Sequence, residues 1–157
     1  MAKQVVEASA QSRAPREAVW AVLEDLPKWK YWGPWEMSAV ESEGSPDPHG
    51  EGTIRVMRSE ERKMGSKPTL RERVNVFEPP VRFGYTVLSG MPVEDYQATI
   101  TLTEAGEGTE IVWHIEFDGK VPGSGALIRS VLAPFVADTT VRLAREAEQR
   151  ASTGGTG

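Results

Sequence analysis

Two hydrophobic periods divide the chain. Residues 3–12, KQVVEASAQS, alternate small or apolar side chains with polar ones, the mark of a half-buried strand. In SRAPREAVWAVLEDL the period changes: Val19, Val22, Leu23 and Leu26 recur at helical spacing, Pro15 suits a first turn and Pro27 helps stop the helix. KWKYWGPWE adds one helical turn before Gly33-Pro34 breaks it. From residue 36 the period is mostly two. Strands are predicted in EMSAVESEG, GTIRVMRS, TLRERVNVF, VRFGYTVLSG, DYQATITLTE and GTEIVWHIEF, with EAGEG as the hairpin joining the last two. Gly123-Ser124-Gly125 then opens a final helix over residues 126–151, which Pro134 should kink because it removes a backbone donor.

Consecutive strands without helical crossovers must pair mainly antiparallel, and such a sheet needs something to cover its apolar face. The long last helix is the element available, so the fold class is α+β. No internal repeat or interior linker divides the chain, which reads as one domain over residues 1–150 with a disordered tail at 151–157.

Alternation assigns the faces. Ile111, Trp113, Ile115 and Phe117 point one way and Glu110, His114 and Glu116 the other. Tyr96, Ala98, Ile100 and Leu102 share the inner face with Phe83, Tyr85 and Val87. Leu70, Val74 and Val76 carry Glu72 inward with them, and Ile54 and Val56 carry Arg58, unless a one-residue bulge reverses either assignment. Glu72 and Arg58 are charged groups on an apolar face, where lone charges are costly. Either they pair with each other or reach a wet sheet edge, or they line a hollow between sheet and helix and orient a ligand. On the helix, Leu127, Val131, Phe135 and Asp138 follow one stripe, which makes Asp138 either a third polar group of that hollow or a solvent-facing aspartate. Trp20, Trp29, Trp32 and Trp35 fall within sixteen residues. Trp32 and Trp35 flank the Gly-Pro turn, where they either anchor the loop or rim an opening.

Composition narrows the chemistry. The 157 residues include no cysteine and two histidines, which removes disulfides, thiolate metal sites and a cysteine nucleophile, and leaves no multi-histidine site. No metal and no cofactor is expected. The net charge of −5 argues against nucleic acid as a partner, since neutralising phosphates needs a basic surface. No apolar run approaches the ~20 residues of a membrane span, and the N-terminus lacks a signal peptide's apolar centre, so a cytoplasmic location is expected. His114 falls on the outer face, and His49 lies in a Pro/Gly/Asp loop without a catalytic partner in sequence.

Taken together, APREAVWAVLEDLPKWKYWGPW, RERVNVFEPPVRFGYTVL, ATITLTEAGEGTEIVWHIEF and the long terminal helix resemble the START-like helix-grip superfamily, in its bacterial polyketide cyclase/dehydrase and lipid-transport branch. Trp32 and Pro34 match the family's W-x-P step, Glu72 with Pro79 and Pro80 its E-x-V…PP hairpin, and Gly108-Thr109 the start of its last strand. The resemblance, over residues 3–148, implies about seven antiparallel strands curled around the C-terminal helix, two short helices after the first strand, and a cavity for hydrophobic small molecules such as lipids, polyketides or quinones. No inward histidine or catalytic dyad carries over.

Three readings follow. The first is binding or transfer of a hydrophobic ligand near Trp32, Trp35, Arg58, Glu72, Tyr85, Tyr96, Trp113, Val131, Phe135 and Asp138, with Trp32 at the mouth. The second is a metal-free cyclase or dehydratase in which Glu72 is general base, Arg58 holds a developing enolate and Tyr85 or Tyr96 donates a proton. The third is a protein-interaction module presenting the Trp29–Trp35 segment. The pattern sets no oligomeric state.

Overall fold

The computed structural model describes residues 3–62, 65 and 67–154. Strand β1 (Gln4–Ser12) leads into helix α1 (Arg16–Glu24), a single 3-10 turn at Leu26–Lys28 and the one-turn helix α2 (Trp29–Trp32). Six strands follow: β2 (Trp35–Ser42), β3 (Ile54–Ser59), β4 (Thr69–Glu78), β5 (Arg82–Ser89), β6 (Val93–Ala105) and β7 (Gly108–Gly119). Helix α3 (Gly125–Gly154) ends the chain's described part. All neighbours pair antiparallel in the order β1-β7-β6-β5-β4-β3-β2, so the first strand closes against the last and β2 forms the far edge. Helix α3 lies on β1, β7 and α1. This is the helix-grip arrangement.

Alternation of the large side chains holds in β5, β6 and β7. Ile111, Trp113, Ile115 and Phe117 of β7 are buried, as are Tyr96, Ala98, Ile100 and Leu102 of β6 and Phe83 and Tyr85 of β5. Each large apolar side chain fully buried there contributes about 1.5–3 kcal/mol. His114 lies on the outer face between Glu7 and Glu116.

Three phases differ from expectation. In β3 the inward residues are Arg55, Met57 and Ser59, while Ile54 and Val56 are half-buried on the other side and Arg58 is exposed. The register explains it: Arg55 stands opposite Glu72 and Met57 opposite Leu70, and residues opposite one another in an antiparallel pair share a face. In β4 a register shift between Val74 and Val76 inserts an extra residue, so Phe77, opposite Phe83, takes the inner place expected of Val76. In α3 the buried stripe is Ile128, Val136, Thr139, Leu143 and Ala147, with Leu132 partly buried. It is one residue on from the expected stripe, a rotation of roughly 100°, and it leaves Leu127 and Asp138 exposed.

Helix α3 is continuous through Pro134, whose position is exposed. It also runs to Gly154, into the stretch read as a tail, where Ser152 Oγ and Thr153 Oγ1 donate back to the Gln149 carbonyl at 2.9 and 3.1 Å. Among the described residues, no helix is long and apolar enough to cross a membrane.

Candidate functional site

The inner face of β3 and β4 carries one buried ion pair. Arg55 Nε donates to Glu72 Oε1 at 2.9 Å, and the two residues are only 1% and 4% exposed. The guanidinium is held between rings, its Cζ 3.9 Å from the centre of Trp29 and 4.6 Å from that of Tyr85. Such stacking suits a planar, weakly hydrated cation. It matters here because Nη1 and Nη2 have no hydrogen-bond partner. Burial pushes the Glu72 carboxyl above the ordinary carboxylate range, and the charge and hydrogen bond of Arg55 oppose that push. Burial likewise raises the Tyr85 and Tyr96 phenols well above their ordinary value, with the Glu72 charge adding to the effect. Both phenols therefore stay protonated at any physiological pH.

Beside this pair a two-part hollow opens between the sheet and α3. The outer chamber, of about 220 Å³, is bordered by Trp35, Leu70, Met91, Val131, Leu132 and Phe135, among others. Ile128, Pro68, Ser59 and the Gly90–Pro92 turn complete its wall. The inner chamber is small, about 30 Å³, and adds Glu72, Tyr85, Tyr96, Trp113 and Thr139. Trp35, Leu70, Met91, Leu132 and Phe135 border both, so an apolar vestibule meets a polar floor. On that floor the Thr139 hydroxyl already donates to the Phe135 carbonyl at 2.7 Å. The indole N–H of Trp113 lies near enough to Tyr85 to favour its anion, yet makes no hydrogen bond of good geometry and is left without a partner.

The sequence-derived candidates divide accordingly. Trp35, Glu72, Tyr85, Tyr96, Trp113, Val131 and Phe135 come together around the hollow. Arg58 does not: it points outward, its Nε donating to Thr69 Oγ1 at 3.2 Å and its Nη1 3.9 Å from Glu36. Arg55 takes the place given to it. Trp32 is not at the mouth but buried, 5.0 Å from Trp29 and 5.9 Å from Trp35 by ring centres. It anchors the loop because the short turn of α2 folds it back onto its neighbours. Asp138 is exposed and ion-paired with Arg142 at 2.8 Å, on a surface depression with Pro34, Glu61 and Pro134.

Ile128, Leu132, Met91 and Gly90 were not among the candidates. Ile128, Leu132 and Val136 recur every fourth residue, a helical signal that competes with the adjacent stripe. For the Gly90–Pro92 turn no periodic signal exists, since its place follows from the pairing of β5 and β6.

The family model described as polyketide cyclase/dehydrase and lipid transport matches residues 3–148. Among solved structures, the Zhui aromatase/cyclase of a Streptomyces species is 19% identical, with a TM-score of 0.80 and 96% of each chain covered. A START superfamily protein of Mycobacterium smegmatis is 12% identical, with a TM-score of 0.78 over 92% of this chain and 97% of that one. TTHA0849 of Thermus thermophilus is 22% identical, with a TM-score of 0.71 over 96% and 99%. At these identities the likeness concerns the fold. No curated protein matches the chain.

Proposed function

The chain belongs to the polyketide cyclase/dehydrase and lipid-transport family, and from its two-part hollow we propose that it binds and carries an apolar small molecule between sheet and C-terminal helix. The observation that carries this reading is the apolar vestibule of about 220 Å³ at the fold's grip, lined by side chains of β2, β4 and α3. Ligand sites are concave and largely apolar with a few placed polar groups, which is the composition of this one. Carriage is favoured over transformation by the state of the polar groups. Glu72, the carboxylate bordering the inner chamber, is already engaged by the Arg55 guanidinium at 2.9 Å.

Calorimetric titration with naphthalene, a neutral apolar probe, tests this reading. Saturable binding that is abolished by Val131→Trp, with unchanged thermal unfolding, is the expected result. Absence of heat with naphthalene and other neutral aromatic probes overturns it.

A second reading, a cyclase or dehydratase, draws on Glu72, Tyr85 and Tyr96 bordering one chamber and on the resemblance to an aromatase/cyclase. In it Glu72 accepts the proton of an enolisable carbonyl compound. Turnover of such a compound, lost in Glu72→Gln while binding persists, would establish it. The interaction-module reading loses its cue, because Trp29, Trp32 and Trp35 are buried and only Tyr31 of that segment is a large exposed hydrophobic.

A further inference from the structure

Resting on the ligand-binding reading, we propose that the ligand is a compact ring compound, about two fused rings in size, whose single neutral hydrogen-bond acceptor takes the indole N–H of Trp113. The two chambers limit the ligand's size. A dry apolar cavity of about 150 Å³ holds benzene, so the outer chamber's 220 Å³ holds about nine heavy atoms by the same ratio. The inner chamber, at about 30 Å³, has the volume of one water molecule in the liquid, and so admits one polar heavy atom. A long acyl chain exceeds both together.

Trp113 supplies an unmet donor. Among the described residues bordering either chamber, Trp113 Nε1 is the buried side-chain polar atom with no hydrogen-bond partner. An indole nitrogen donates and never accepts, so what meets it must be an acceptor. Buried polar groups are ordinarily paired, and a ligand oxygen in the inner chamber supplies the pairing the fold omits.

Charge narrows the head group. Glu72 borders the inner chamber, whereas its cation Arg55 does not border either chamber and already donates to Glu72. An anionic head would meet the Glu72 carboxylate there, while the Arg55 guanidinium, its Nη groups unpaired, is stacked on Trp29 and Tyr85 outside both chambers. A carbonyl or ether oxygen carries no such penalty. Two of the outer chamber's walls are stiff aromatic surfaces, Trp35 and Phe135 standing edge to face at 5.9 Å, and these suit a flat ring.

Calorimetry with indane, indanone, an indane carboxylate and palmitate on the full chain tests the proposal. Indanone should bind about tenfold more tightly than indane, the upper end of what one neutral hydrogen bond adds. The carboxylate and palmitate should bind more weakly than indane. Trp113→Phe should erase the advantage of indanone while retaining indane. Equal affinities for indane and indanone in the wild-type chain overturn the proposal, as does tightest binding of palmitate or of the carboxylate, or an indanone advantage that survives Trp113→Phe. If that variant fails to fold, the wild-type comparison decides alone. If none of the four binds, the ligand-binding reading itself falls, and this inference with it.

Discussion

Arg55 and Glu72 face each other directly across β3 and β4, and the 2.9 Å contact between Nε and Oε1 is shut inside the grip. Because opposite residues of an antiparallel pair share a face, an inward Glu72 and an inward Arg55 are one structural fact. The pair places the Glu72 carboxylate at the hollow's border with its countercharge outside both chambers, and lets the apolar vestibule stand beside it.

Removing one member strands the other in an apolar surrounding. Glu72→Leu or Arg55→Met alone should therefore destabilise the protein by about 3–5 kcal/mol, whereas the double replacement should recover most of that loss. Arg58→Ala, on the exposed face, should change stability by less than about 0.5 kcal/mol. Urea unfolding of the four variants checks this. Single variants as mild as Arg58→Ala, or a double variant whose loss is the sum of the two, would contradict the buried-pair account.

Glu72 was legible because β4 alternates cleanly from Leu70 to Val74, and β5 to β7 were legible for the same reason. Arg55 was not. In IRVMRS the apolar Ile54 and Val56 outvote the alternate phase, which places an arginine inward. Only the pairing register with β4 reverses that vote, and the sequence between Ser59 and Thr69 does not announce the register. The extra residue near Asn75 is silent for a similar reason: Val76 and Phe77 are both good inward residues. In α3 the apolar positions 127–128, 131–132 and 135–136 come in adjacent pairs, so two stripes one residue apart fit equally well. The threonines that settle the choice, Thr139 and Thr140, look polar until their hydroxyls return to the carbonyls of Phe135 and Val136, both at 2.7 Å.

The turn at Gly90 should be intolerant of a side chain. Its φ is +106°, and a Cβ there would lie 2.1 Å from the Thr69 carbonyl oxygen, a backbone atom that cannot step aside. Gly106, in the β6–β7 hairpin, also has positive φ, +63°, but has open space where a Cβ would go. Gly106→Ala should cost about 1–2 kcal/mol for its left-handed backbone alone, while Gly90→Ala should cost clearly more. Thermal unfolding of the two variants decides, and equal losses would mean that crowding at the mouth of the hollow is relieved by a backbone shift.

His114 Nδ1 lies 2.7 Å from Glu7 Oε2, and Nε2 lies 3.0 Å from Glu116 Oε2. Hydrogen bonding to Glu7, then to Glu116, raises the imidazole above its ordinary value near 6.5. The imidazolium's contribution to stability is thus fully present below about 6.5, the value in the unfolded chain, and is lost as pH rises through the higher folded value. His114→Gln should lower the unfolding free energy at pH 5.5, by less than about 1 kcal/mol because the group is partly solvated, and leave it nearly unchanged at pH 9. A loss that grows with pH would contradict the charged bridge.

Phe135 should set the size limit of the hollow. It borders the outer chamber, the inner chamber and the surface depression beside Pro34 and Asp138, so its ring is the wall between inside and outside. Its ring rests against Trp35 and is only partly buried, so Phe135→Ala should cost less than the roughly 3–5 kcal/mol of a fully buried phenylalanine. With the wall gone, the chambers join the depression, and a three-ring ketone such as fluorenone gains room that the wild-type chain denies it. Calorimetry should show wild-type protein preferring indanone to fluorenone and Phe135→Ala reversing the order. The two effects separate wall from scaffold: a variant that merely loosened the fold would lose affinity for both ketones together. Wild-type protein that already binds fluorenone as tightly as indanone would show that the limit lies elsewhere around the outer chamber, as at the Gly90–Pro92 turn.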